Sequence, residues 1–186
     1  MVAMTVKEDV RGDILQAALA VMEEGGLGAL SMREVARRAG LSHQAPYHYF
    51  ADREAILAEL ARDGFMILTR RMTEALRQVS GEEASLSAMG CAYVRFALDH
   101  PALFKLMFRC EMVDLSKYEE AKCVADEAFN TPVRVITEAY GEDDPNIMNR
   151  MLSCWALAHG LATLLLEKKL SNHFGDDPAA QEAGIG

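Results

Sequence analysis

The chain has 186 residues, 51% of them hydrophobic, which suits one domain or a small domain joined to a larger one around a real apolar core. No apolar run approaches the roughly 20 residues needed to span a bilayer, and the N-terminal MVAMTVKEDVRGD lacks the order of a signal peptide, so a cytoplasmic protein is expected. The net charge of −9 argues against a protein that coats nucleic acid without regard to sequence.

The whole chain reads as helices. Ile14, Leu15, Ala18, Leu19 and Met22 recur at helical spacing and predict an amphipathic helix over residues 9–24, ended by Gly25-Gly26. Ser31 is placed as an N-cap with Glu34 three residues on, the pattern of a capping box, and Leu30 with Val35 forms a hydrophobic staple. Val35, Ala36 and Ala39 make the inner stripe of this second helix, and Gly40 closes it. Ser42 caps a third helix so soon afterwards that the two must cross steeply, as in a helix-turn-helix. Pro46 then requires either a start at His43 or a distorted first turn. Phe50 ends the element as a core anchor. Asp52 caps a long fourth helix running to about Val79.

A pause at Ser80-Gly81 precedes a fifth helix with Leu86, Met89, Tyr93, Val94, Ala97 and Leu98 inward. His100-Pro101 breaks it and opens a sixth, bearing Leu103, Phe104, Met107 and Phe108. Residues 116–140 are helical in period, but Pro132 predicts a kink or break near Asn130. Asp144-Pro145 starts the last helix, to about Lys169. The tail, 171–186, is polar and rich in Gly, Ala and Asp, and is expected to be disordered. The fold class is therefore all-α. An N-terminal three-helix helix-turn-helix domain (1–57) is joined through the long helix to a helical ligand-binding and dimerisation domain (58–170).

Charge is distributed unevenly along this frame. Residues 33–53 hold four arginines against Glu34 and Asp52, whereas the rest of the chain is acidic. Screening confines the effect of a charge to about 8 Å, so a local positive face survives in an acidic protein. In a helix-turn-helix the second short helix enters the major groove of double-stranded DNA. His43, Gln44 and His48 are placed to reach base edges, and glutamine bonds adenine bidentately. Arg33 can reach a guanine or a phosphate. Tyr47 and Tyr49 bring hydroxyls to phosphate height, and Arg53 a cation at the start of the long helix. Ser31 and Ser42 can serve phosphates as well as caps. Capped helices with a glycine turn also join ordinary hairpins, and Arg37 and Arg38 can be a solvated face. His43 and His48 share no helix face, so no metal pair is expected. The four cysteines, Cys91, Cys110, Cys123 and Cys154, form no C-x-x-C, and they read as small buried residues with no metal or cofactor to hold.

The segment resembles the N-terminal DNA-binding domain of the TetR family of bacterial transcriptional regulators. The matching residues are Ile14 and Ala17-Ala18, Leu30-Ser31-Met32-Arg33-Glu34-Val35-Ala36, Ala39-Gly40-Leu41-Ser42, Tyr47-His48-Tyr49-Phe50 and Arg53-Glu54-Ala55-Ile56-Leu57. Tyr49 departs from a frequent histidine and Arg53 from a usual lysine, which are not equivalent cations. The resemblance implies a homodimer reading a palindromic operator and released by a small ligand, hence a repressor and not an enzyme. No phosphate loop, H-E-x-x-H or G-x-S-x-G supports catalysis.

Trp155-Ala-Leu-Ala-His159-Gly160 is similar to the Trp-x-x-x-His-Gly signature of one subgroup of the family's C-terminal domains, and the stretch from His100 to Phe108 also resembles that subgroup. Trp155 and His159, four apart, share a helix face. They either pack in the core or line an apolar effector cavity with Tyr93, Phe96, Phe104, Met107 and Phe108. On the last helix Ile147, Met151, Cys154, Ala158, Leu161 and Leu165 alternate steps of four and three, the seam expected of a homodimer face.

Overall fold

A computed structural model describes residues 2–109 and 111–170, and within them every regular element is helical, as expected. Helix α1 (Val2–Gly25) begins earlier than its apolar period suggests and buries Ile14, Ala17, Ala18, Val21 and Met22. A single 3-10 turn (Leu27–Ala29) leads to α2 (Met32–Arg38). The Ser31 hydroxyl accepts from the Glu34 N–H at 3.2 Å, and Leu30 and Val35 are both buried beside it. Only this half of the capping box forms, because the Glu34 carboxylate turns to the Arg37 guanidinium (2.9 Å).

The turn after α2 depends on one glycine. Leu41 N–H reaches back to Ala36 C=O (2.9 Å) while Gly40 stands at φ +68°. This bond across the left-handed residue reverses the chain within two residues and satisfies a carbonyl at the helix end.

The expected third helix is instead one 3-10 turn, Ala45–His48. Pro46 is the reason: it has no N–H to donate to Ser42 C=O, and its ring crowds that carbonyl. The segment therefore uses three-residue spacings, Ala45 to Ser42, Tyr47 to Gln44 and Tyr49 to Pro46, before Phe50 N–H returns to Pro46 C=O at 2.9 Å. Pro46 and Phe50 are both buried and pin the turn from below.

Helix α3 (Arg53–Leu76) is capped by Asp52, which accepts from Ala55 N–H at 2.9 Å. Then follow α4 (Glu82–Asp99), α5 (Pro101–Met107), α6 (Glu119–Tyr140) and α7 (Ile147–Leu166). Helix α6 runs unbroken through Pro132, where a kink or a break was expected. There the Thr131 hydroxyl donates to Glu127 C=O at 2.9 Å, bonding a carbonyl of the turn whose ladder the proline interrupts. Of the cysteines, Cys91 and Cys154 are half-buried and Cys123 is exposed, contrary to the expectation of burial; Cys110 and the tail 171–186 lie outside the described residues. No helix of the described residues is long and apolar enough to cross a membrane.

Two compact units result, and they do not follow a boundary at residue 57. The first holds the described residues to Gly64 together with Ala102–Cys123; the second holds Phe65–Pro101 and the described residues from Val124. In the first unit, Met107 packs so closely on Gly64 that an added Cβ would lie 2.6 Å from its sulfur. Glu54 accepts from Asp114 N–H (3.2 Å) and from Lys117 Nζ (3.3 Å). Arg11 forks onto Glu59 at 3.0 and 2.7 Å, with its guanidinium 5.1 Å from the centre of the Phe50 ring. In the second unit α4 and α7 pack along each other. There Arg71 bonds Asp99 (2.5 Å) and donates to His100 Nε2 (3.1 Å).

Candidate nucleic-acid interface

Helix α2 and the following turn both expose side chains expected to meet DNA. Ser42, His43, Gln44, Tyr47 and His48 are all exposed on the recognition turn, and Tyr49 is half-buried. The His43 and Tyr47 rings stack, with centroids 6.4 Å apart and planes 22° from parallel. Gln44 stands at the head of the turn. Because the turn is 3-10, residues three apart eclipse, so Gln44 and Tyr47 lie nearly one above the other. Ser31 is exposed and already committed to its cap.

The four arginines of this segment have different duties. Arg33 is exposed, and no ion pair holds it among the described residues. Arg37 forks onto Glu34 and Arg38 onto Glu24. Each arginine holds its carboxylate below the ordinary glutamate range, through the hydrogen bond first. These pairs are exposed and weak, so a phosphate can compete for the guanidinium. Arg53 is different. It is half-buried, its Nε donates to Leu30 C=O and its Nη2 to Leu27 C=O, both at 2.8 Å. The positive charge counted from sequence is thus less available than a tally of arginines implies. Nothing local in the sequence marks the Arg53 contacts, which span 23 and 26 residues.

The residues expected to line an effector cavity are divided. Phe104 and Met107 are buried and Phe108 half-buried, and all three belong to the first unit, where Phe104 and Phe108 meet edge to face at 5.3 Å. Tyr93, Phe96, Trp155 and His159 belong to the second. There the Trp155 indole N–H donates to the Tyr93 hydroxyl (3.3 Å), and Tyr93 Oη lies 2.8 Å from His159 Nδ1. Trp155 is donor-only, so its bond leaves the tyrosine proton for Nδ1. Burial holds the His159 imidazole below its ordinary pKa and pushes the Tyr93 phenol above its own. Trp155 is not a core residue: 36% of it is exposed, with its ring edge-on to Phe129 at 6.3 Å.

The expected dimer seam faces inward. Met151 and Leu165 are buried, and Ile147, Cys154, Ala158 and Leu161 are half-buried on the side of α7 that packs within the unit. Helix α7 is apolar nearly all round, so periodicity alone selects no face. Besides Trp155, α7 exposes the large apolar residues Met148, Leu152, Leu157 and Leu164, Leu157 by 75%. An open groove of about 460 Å³, unforeseen from the sequence, lies where α4 and α7 begin, lined by Glu82, Leu86, Asn149, Arg150, Ser153 and Cys154 among others.

Comparison with known proteins adds to this geometry. Residues 14–60 match the family profile of bacterial regulatory proteins, tetR family, and residues 86–185 match that of the tetracyclin repressor-like C-terminal domain. A protein of unknown function from Rhodococcus sp. RHA1 is 31% identical, with 95% of this chain and 91% of that one aligned and a TM-score of 0.76. The TetR-family transcriptional regulator PfmR from Thermus thermophilus shares the fold at 19% identity, 92% coverage of each chain and a TM-score of 0.68. So does the TetR-like regulator LfrR from Mycobacterium smegmatis in complex with proflavine, at 18% identity, 97% and 93% coverage and a TM-score of 0.63.

Proposed function

The chain belongs to the tetR family of bacterial regulatory proteins, which are DNA-binding transcriptional regulators and not enzymes, and from that premise we propose that it is a homodimeric repressor released from a palindromic operator by a small, largely apolar effector. The observation that carries the reading is the set of exposed side chains Arg33, Ser42, His43, Gln44, Tyr47 and His48, supplied by the capped start of α2 and by a turn with a buried Pro46–Phe50 base. Gln44 and His43 read base edges, while Arg33, Tyr47 and the Ser42 hydroxyl hold phosphates. Residues 1–57 are the reading part and 58–170 the effector and dimerisation part.

Two-fold symmetry follows from the task. Two recognition turns reading half-sites about 34 Å apart need an isologous dimer. The apolar residues that α7 exposes, Met148, Leu152 and Trp155 on one flank and Leu157 and Leu164 on the other, support such an interface better than the inward seam does. The effector site is proposed around Tyr93, Phe96, Trp155 and His159, where one polar chain sits among apolar groups. That LfrR, of the same fold, is found in complex with proflavine supports a small-molecule effector. The effector acts by differential affinity, favouring a state whose recognition turns do not fit the operator.

The test is selection of duplexes from a randomised pool, followed by affinity measurements across salt. A sequence preference with two-fold symmetry is expected, and Arg33→Ala should lower the slope of log affinity against log salt by about 0.9. Absence of salt-dependent, sequence-preferring binding would end the proposal.

A further inference from the structure

We infer that Arg53 is a positioning residue that closes the DNA-reading module on itself, and that it does not serve as a phosphate ligand; the inference rests on the DNA-reading face proposed above. The chain leaves α1 at Gly25, makes the Leu27–Ala29 turn, runs through α2 and the recognition turn, and reaches α3 at Arg53. From that first residue of α3 the guanidinium returns to the carbonyls of Leu27 and Leu30, at 2.8 Å each. Residues 27–53 thus form a ring tied by two charge-assisted bonds.

The points tied are the ones that matter for reading. Leu30 is buried and immediately precedes the Ser31 cap, so its position sets where α2 begins and where Arg33 projects. Arg53 follows the recognition turn by five residues, with the buried Phe50 between them. The tie therefore fixes the spacing between Arg33 and the His43–His48 arc, two groups that must meet one stretch of DNA together. A single guanidinium reaches both carbonyls because its donors form a rigid fork. A lysine presents one compact ammonium and cannot hold both bonds in that planar geometry. Two acceptors and partial burial also leave this cation poorly placed to release counterions from DNA.

The experiment compares Arg53→Lys and Arg53→Gln with the wild type on two probes: a duplex selected by the wild-type protein from a random pool, and a random-sequence duplex of equal length. Concentrations are corrected for folded fraction. If Arg53 positions the module, both variants lose about tenfold on the selected duplex. Arg53→Lys then keeps its affinity for the random duplex, and neither variant changes the salt slope. Amide hydrogen exchange over residues 27–34 is faster in both free variants. If Arg53 binds phosphate, Arg53→Lys matches the wild type on both probes and Arg53→Gln loses about 0.9 of salt slope. That result, or unchanged exchange over residues 27–34 in Arg53→Lys, overturns the inference. Failure of the wild type to select any duplex would refute the DNA-reading face instead, while the exchange measurement on the free protein still decides whether the tie exists.

Discussion

Replacing Gly40 by alanine adds a methyl group to empty space, yet it should destabilise the protein. Gly40 has φ +68° and nothing lies within 4 Å of an added Cβ, so the cost is purely that of the backbone. An L-residue in the left-handed region costs about 1–2 kcal/mol. The narrower unfolded ensemble of alanine returns about 0.4–1 kcal/mol. The net loss is about 1 kcal/mol, which at this chain length lowers Tm by roughly 2–4 °C. Gly12 is the control. It stands inside α1, has no positive φ, and its added Cβ also meets nothing within 4 Å. Gly12→Ala should therefore stabilise by about 0.5–1 kcal/mol. Thermal and urea unfolding of both variants measures the difference, expected near 1.5–2 kcal/mol. Shifts of the same sign in the two variants would refute the assignment of the α2 turn to a left-handed glycine.

Tyr93→Phe removes the hydroxyl between Trp155 and His159 and leaves two polar groups without it, at a cost of about 1–2 kcal/mol in urea unfolding; an unchanged midpoint counts against the polar chain. Burial lowers the folded pKa of His159, so the unfolded chain takes up the proton first. Its contribution is full above the unfolded value of about 6.5 and is lost as pH falls through the lower folded value. Urea midpoints at about pH 7.5 and about pH 5.5 should accordingly differ more in the wild type than in His159→Gln. Leu157→Glu puts a carboxylate on the most exposed apolar side chain of α7 and should give a folded monomer by sedimentation, with operator affinity lost; a dimer that survives it places the interface elsewhere. Asp52→Ala deletes the α3 cap and should cost about 1 kcal/mol in thermal unfolding, and no loss would mean the cap carries no weight.

What could be read from sequence was what local chemistry decides. Ser31, Gly40 and Asp52 announce helix ends through contacts spanning a few residues, and all three act where their spacing placed them. The recognition turn was located correctly but its length was not, because Pro46 removes one bond and the sequence does not say whether the chain tightens or restarts. Helix α7 misled for another reason: Met151 and Leu157 are equally apolar, and only the packing of α7 within the second unit distinguishes the buried from the exposed one. The Arg53 tie and the grouping of residues 102–123 with the first unit arise between distant segments, where no periodicity leads.

The shortness of the Pro46 turn separates the proposed reading surface from what makes the protein fold. Its exposed side chains, Ser42, His43, Gln44, Tyr47 and His48, project from a base anchored by Pro46 and Phe50 and contribute nothing to that anchor. A lineage can exchange them one at a time without passing through poorly folded intermediates. If those side chains do the reading, the DNA sequence recognised can change while the Pro46–Phe50 base stays as it is.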